Sequence, residues 1–189
     1  MNILGINYFF HDSTACIVTD GVLISAIEEE RLSRIKHTGK FPELAIKKCL
    51  DLAGIRKNEI DYVAVSIKPS HKWFAKLFYP LKSPLHAKQF YNHEFRRAYH
   101  KQKKFWAWYN GLWGSGKKPK VYFIEHHLAH VEGSFYVSPY EKAALLSLDG
   151  SGEWATSFLG LGKGNQVQCF NQSFFPMSSG IPGRRSLAV

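Results

Sequence analysis

The pattern that most restricts the fold of this chain is a β-meander that occurs twice. From Asn2 onward the sequence runs Ile-Leu-Gly-Ile, then Thr-Ala-Cys-Ile-Val, then Val-Leu-Ile-Ser-Ala-Ile. These are three short apolar runs, the last two joined by Asp20-Gly21, a two-residue hairpin signal. A helix follows, with Pro42 near its first turn, Leu44, Ile46, Cys49, Leu50 and Leu52 along its apolar side, and Gly54 beyond its end. Residues 62–67 and 120–125 read as buried strands, and residues 126–137 as a helix ended by Ser138-Pro139. The meander then restarts with a strand at 143–148, a turn at Asp149-Gly150-Ser151-Gly152, and strands at 155–161 and 166–171 around Gly-Lys-Gly-Asn.

A restart after one βββαβ-insertion-βα unit predicts a duplicated α/β fold made of two ribonuclease-H-like halves, with a ligand between them. Residues 1–140 form the first half, interrupted by an insertion at about 68–120, and residues 141–189 form an incomplete start of the second. The tail from Ser178 shows no periodicity and cannot supply the helices and strands that the second half lacks, so the chain is expected to be a truncated product. The unfinished second meander is expected to expose an apolar face around residues 155–161, which would favour self-association.

Charge singles out the insertion. Between Lys68 and Lys120 stand 13 Lys or Arg and one acid, Glu94, so this segment holds a local excess of 12 positive charges while the whole 189-residue chain carries +10. The segment also holds 13 of the 28 aromatic residues, Trp73, Phe78, Trp106 and Trp113 among them. Two readings follow: a helical insertion whose rings pack on the domain while its lysines stay solvated, or a non-catalytic module that docks on RNA or another polyanion through residues such as Lys101, Lys103 and Lys104. An anionic lipid surface belongs to the second class. No run approaches the ~18 apolar residues of a membrane span. The three cysteines, Cys16, Cys49 and Cys169, form no CxxC pair, and no basic leader opens the chain; a reduced, cytoplasmic protein is the expectation.

Chemistry concentrates in Glu125-His126-His127-Leu128-Ala129-His130, which leaves a strand and enters a helix. His126 and His130 lie one helical turn apart on one face, with Cβ atoms about 5–6 Å apart, a spacing that suits a shared metal. His127 stands where a zinc protease would carry the glutamate of HExxH, so that reading fails. Asp149, at the end of the next strand, is a natural third ligand, and two imidazoles with a carboxylate suit Fe(II), Mn(II) or Zn(II) without choosing among them. Two turns could offer amides and hydroxyls to phosphate: His11-Asp12-Ser13-Thr14 and Asp149-Gly150-Ser151-Gly152-Glu153. Arg31, Arg34, Lys36, His37 and Lys40 precede a helix N-terminus, where an anion would be favoured.

Four stretches in this order, Ile3-Leu-Gly-Ile with His11-Asp-Ser-Thr-Ala15, Ala26-Ile-Glu-Glu-Glu-Arg31 through Lys36-His37 to Phe41-Pro42, Glu125-His-His-Leu-Ala-His130, and Leu148-Asp-Gly-Ser-Gly-Glu153, resemble the N-terminal region of the O-carbamoyltransferases. These include nodulation enzymes and carbamoylating enzymes of antibiotic biosynthesis. The resemblance runs from residue 1 to about 178 and is weakest at the basic insertion. It implies an actin/Hsp70-like ATPase fold. It also implies a reaction in which ATP and carbamoyl phosphate give a carbamoyl-adenylate, whose carbamoyl group passes to a hydroxyl of a small-molecule acceptor. By the resemblance, His126, His130 and Asp149 hold a divalent metal at the nucleotide phosphates. Ser13, Gly150, Ser151, Gly152 and Glu153 line the nucleotide site, and His11, Lys36 and His37 hold carbamoyl phosphate.

Overall fold

The computed structural model describes residues 1–8, 11–82, 88, 91–152 and 154–174. Glu153 and the tail from residue 175 lie outside the described residues. The fold is mixed α/β and divides into two compact units, residues 1–66 with 72–123, and residues 67–71 with 124–189.

In the first unit β1 (Asn2–Asn7), β2 (Thr14–Thr19), β3 (Val22–Glu28), β4 (Tyr62–Val65) and β5 (Lys120–Phe123) form one sheet in the order β3-β2-β1-β4-β5. The meander half is antiparallel, and β1, β4 and β5 run parallel. Alternation sets the register: Leu4 lies beside Ile17 and Val63, and Ile6 beside Ala15 and Val65. All six are buried on the same side of the pleat. The Asp20-Gly21 hairpin has φ of 49° and 83°, the left-handed pair that a type I′ turn demands.

Helix α1 (Glu29–Ser33) was not legible as a helix; it is one turn long and closes with Arg34 at φ 60°. Helix α2 (Glu43–Ala53) covers the meander with Ala45, Ile46 and Cys49. Its N-terminus, expected to draw an external anion, is met from within: the buried Glu29 carboxylate accepts from the Ala45 amide at 2.8 Å.

The insertion is helical, with α3 (Trp73–Lys82) and α4 (Arg97–Trp113), the latter preceded by a π-helical turn at Asn92–Arg96. On α4, Phe105, Tyr109 and Trp113 recur at i, i+4 and i+8 and are buried, while Lys103 and Lys104 are exposed. Trp113 Nε1 donates to the Lys57 carbonyl at 2.9 Å, and Tyr109 Oη to the Pro119 carbonyl at 2.6 Å. Lys101 is part of the architecture rather than of a free basic patch. Its Nζ donates to the carbonyls of Tyr8 (2.7 Å) and Gly39 (3.3 Å), and the Tyr8 hydroxyl donates back to the Lys101 carbonyl at 3.0 Å.

In the second unit α5 (His126–Phe135) packs on an antiparallel sheet of β6 (Lys142–Gly152), β7 (Ala155–Lys163) and β8 (Gln166–Phe174). Val131 and Phe135 of the helix meet Leu145 and Phe158 of the sheet, with Leu128, Ala143 and Val167 at the margin. Gly162 makes the contact possible, because a Cβ there would stand 2.7 Å from the Phe135 ring. The segment Asp149–Gly152, read from sequence as a turn, extends strand β6 past an irregularity after Leu148, and Gly152 pairs with Ala155. Residues 155–161 are mainly buried, but Leu159 is exposed beside its register partner Leu146, and Leu148 and Phe170 of the same sheet are exposed as well. Cys49 is buried as expected, Cys16 is half-buried, and Cys169 is exposed on β8; none is in a disulfide.

Candidate functional site

Two clusters, each of two histidines and one aspartate, hold their donor atoms within 4.8 Å of one another, one in each unit.

The second-unit cluster is built on regular elements. Glu125 caps α5, its carboxylate accepting from the amides of His127 (3.1 Å) and Leu128 (2.7 Å). The cap fixes the first turn, and the helix then carries His126 and His130 on one face. Asp149 arrives from the extended end of β6. His126 Nε2 lies 2.8 Å from Asp149 Oδ2 and 3.1 Å from His130 Nε2. Burial, the largest influence, pushes the His126 imidazole below the ordinary histidine range, against the opposing pull of Asp149. Burial works to raise the Asp149 carboxyl, but hydrogen bonds from His126 and from the Gly150 amide outweigh it and leave the group below its ordinary value. A neutral imidazole beside an ionised carboxylate is the protonation state that metal binding requires.

The distances fit a cation. Adjacent ligands at ~2.1 Å from one ion and at right angles stand ~3.0 Å apart, close to both separations here. An open cavity of about 570 Å³ adjoins the cluster, lined by His130, Val131, Ser134, Leu145, Ser147 and Asp149.

His127 points inward. It is fully buried, its Nδ1 stands 2.9 Å from Ser147 Oγ, and its Nε2 has no partner among the described residues. Gly150 and Gly152 lie in the β6 extension beside Asp149, and Ser151 is on the same stretch. Glu153 falls outside the described residues, and the strand resumes after Trp154, at φ 90°.

The first-unit cluster is built on loops and is centred on a carboxylate that sequence reading passed over as a ligand. Asp12 Oδ2 lies 2.8 Å from His11 Nδ1, and Asp12 Oδ1 lies 3.0 Å from His37 Nδ1. The two hydrogen bonds, that from His11 first, hold the Asp12 carboxyl below its ordinary value. Both Asp12 (φ 60°) and His37 (φ 51°) occupy left-handed backbone, a conformation that costs a non-glycine residue roughly 1–2 kcal/mol. Local bonds hold it there. The Asp12 carbonyl accepts from Thr14 Oγ1 (2.8 Å) and Asn7 Nδ2 (3.2 Å), and the His37 amide donates to the Glu30 carboxylate at 2.9 Å. The Ser13 amide donates to the Thr38 carbonyl at 3.0 Å, tying the two loops together. Ser13 itself is buried, with its Oγ unpartnered among the described residues. Lys36 is exposed and makes no hydrogen bond or ion pair among the described residues.

Comparison with known proteins adds a family to this geometry. The family described as "Carbamoyltransferase N-terminus" matches residues 2–184. The uncharacterized protein sll1178 of Synechocystis sp. is 39% identical over 189 residues, covering 95% of this chain and 30% of that protein. Nodulation protein NolNO of Sinorhizobium fredii is 31% identical over 177 residues, covering 86% of this chain and 23% of its own length. The chain thus spans less than a third of either relative. Among solved structures, an uncharacterized protein with similarity to peptidase YEAZ from Pseudomonas aeruginosa superimposes with a TM-score of 0.51 at 11% identity, covering 99% of this chain and 72% of that one. That likeness concerns the fold alone.

Proposed function

This chain belongs to the carbamoyltransferase family, through its N-terminal domain, and from that premise we propose that it is the N-terminal part of an O-carbamoyltransferase. In this reading ATP and carbamoyl phosphate give a carbamoyl-adenylate, and the carbamoyl group passes to a hydroxyl of a small-molecule acceptor. Two ribonuclease-H-like halves, 1–140 and 141–189, of an actin/Hsp70-like fold would carry it. The 3-2-1-4-5 strand order and the second meander support that finer reading.

The observation that carries the proposal is the convergence of His126, His130 and Asp149. These residues would hold a divalent ion, Fe(II), Mn(II) or Zn(II). Such an ion, when bound, supplies positive charge against the phosphates of the nucleotide. Gly150 and Gly152, lacking side chains, would let the backbone approach those phosphates, with Ser151 and Glu153 on the same stretch.

His11 and His37 would hold carbamoyl phosphate. Each presents Nδ1 to Asp12, and an imidazole so anchored has its Nε2 to offer to an anion or to an oxygen gaining charge at the carbamoyl carbon. Lys36, next to His37 and exposed, would add a mobile positive charge. A cytoplasmic location belongs to the same proposal; among the described residues no helix is long and apolar enough to cross a membrane.

Equilibrium titration tests the reading. ATP should bind the chain at least about tenfold more tightly with Mn(II) present than without, and that enhancement should vanish in His126→Ala. Nucleotide binding indifferent to both metal and the substitution would overturn it.

A further inference from the structure

Helix α3 is amphipathic in the wrong direction for a soluble insertion. Trp73, Phe74, Leu77, Phe78 and Leu81 fall at i, i+1, i+4, i+5 and i+8, within one ~140° arc of the helix, and each is 46 to 79% exposed. Lys76, outside that arc, is the side chain turned inward, at 3% exposed. On α4 of the same insertion Phe105, Tyr109 and Trp113 are inside and Lys103 and Lys104 outside, although Tyr99 and Trp106 are exposed. Composition therefore does not explain α3; the same aromatic and basic alphabet is sorted differently on two neighbouring helices.

We propose that α3 docks on an anionic membrane surface, lying in the interface with its apolar arc among the acyl chains. Three observations favour this occupant over others. The arc pairs Trp and Phe with Leu, the composition of interfacial helices, and Leu77 and Leu81 offer nothing to a phosphate or a base. The helix is 10 residues long and no described helix can span, so the mode is lying on rather than crossing. Of the 13 Lys or Arg in the surrounding segment, Lys76 is buried and Lys101 is bonded to backbone carbonyls; the others stand against a single acid, Glu94, a balance complementary to anionic headgroups. Lys72 and Lys88, both exposed, flank the helix in the chain.

Flotation of the full chain with phosphatidylcholine vesicles, with and without phosphatidylserine, tests the proposal. The chain should float with the anionic vesicles and hardly at all with neutral ones. F74E/L81E should weaken that binding by about tenfold or more, and K72E/K88E by about fivefold for each lysine that faces the headgroups. Phe74 and Leu81 are exposed, so F74E/L81E should leave the thermal midpoint near that of the parent. An F74E/L81E protein that misfolds still leaves K72E/K88E to decide. Failure of the parent to float overturns the proposal, and so does flotation unchanged by both variants. Two further results do the same: retention on tRNA that exceeds vesicle binding and ignores F74E/L81E, marking a nucleic-acid surface, and a dimer abolished by F74E/L81E without lipid binding, marking a second copy as the occupant. None of these readouts involves nucleotide, so the carbamoyl-transfer reading stands or falls separately.

Discussion

The two clusters use the same residues, two histidines and an aspartate, and arrange them in opposite ways. In the second unit an imidazole is central: His126 faces both Asp149 and His130, and its side chain is only 14% exposed. In the first unit the carboxylate is central, Asp12 engaging His11 and His37 with separate oxygens, and those rings are 74 and 78% exposed. The difference follows from the scaffold. A capped helix and a strand deliver three donors to one point with little freedom. Two loops deliver a carboxylate between two exposed imidazoles, each of which turns Nδ1 to Asp12 and keeps its Nε2 for another partner. Both donor sets are close enough to hold a cation; in the proposed function the second unit's cluster takes the cation and the first unit's the phosphate, although their compositions are identical.

The hardest way to break that contrast is to remove the scaffold from one side. Phe135→Ala deletes the ring that joins α5 to Leu145 and Phe158, a large-to-small change expected to cost about 3–5 kcal/mol in a denaturant titration. It should take the metal affinity of the second cluster with it. The His11 and His37 resonances in an NMR spectrum should keep their positions at denaturant concentrations where the first unit is still folded. Equal disturbance of both clusters would mean that the units do not fold as separately as their contacts suggest.

Ligand substitution is gentler and more specific. His126→Ala or His130→Ala should lower bound metal at least about tenfold by elemental analysis. His11→Ala and His37→Ala should leave it unchanged. Loss of metal in both pairs would erase the assignment of cation and anion to different clusters. Asp12→Asn should sharpen the contrast from the other side. With one carboxylate oxygen replaced by an amide NH2 and the charge gone, residue 12 can no longer accept from both imidazoles at once, and carbamoyl phosphate binding should weaken by about two- to fivefold, since exposed charged pairs contribute little.

The second cluster was legible in sequence and half of the first was not, for a physical reason. His126 and His130 are joined by helical periodicity, and the apolar run before Asp149 places that residue at a strand end. His37 reaches Asp12 across 25 residues, through backbone at positive φ in residues that are not glycine. No periodicity encodes that. The adjacency of His11 and Asp12 was the one local signal for the carboxylate, and only the family resemblance joined His37 to His11. The two glycines after Asp149 suggested a turn, but pairing of Gly152 with Ala155 carries the strand beyond them. Helices α3 and α4 agree with one of the two readings of the insertion in being helical, but the exposed rings of α3 do not, and the bond from Lys101 back to Tyr8, 93 residues away, had no local trace.

That bond explains how a loop-built cluster keeps its geometry, and it gives the smallest test. Lys101 reaches the carbonyls of Tyr8, three residues before His11, and of Gly39, two after His37, so one ammonium pins both loops. Tyr8 closes the circuit through its hydroxyl, and its ring meets Phe41, which meets Trp108. Burial raises the Tyr8 phenol above its ordinary value. A raised value means that the fold accommodates the neutral form better than the unfolded chain does. Its contribution is complete below about pH 10 and declines as the pH climbs beyond that. Tyr8→Phe should therefore cost about 1 kcal/mol at neutral pH, the worth of the lost hydrogen bond, and flatten the alkaline decline so that parent and variant converge above pH ~10. Some decline should persist in the variant, because burial also raises Tyr109. No comparable alkaline dependence is expected at His126, whose imidazole burial pushes below the ordinary histidine range. Parallel stability curves for parent and variant across the alkaline range would show that Tyr8 does not couple the first cluster to pH.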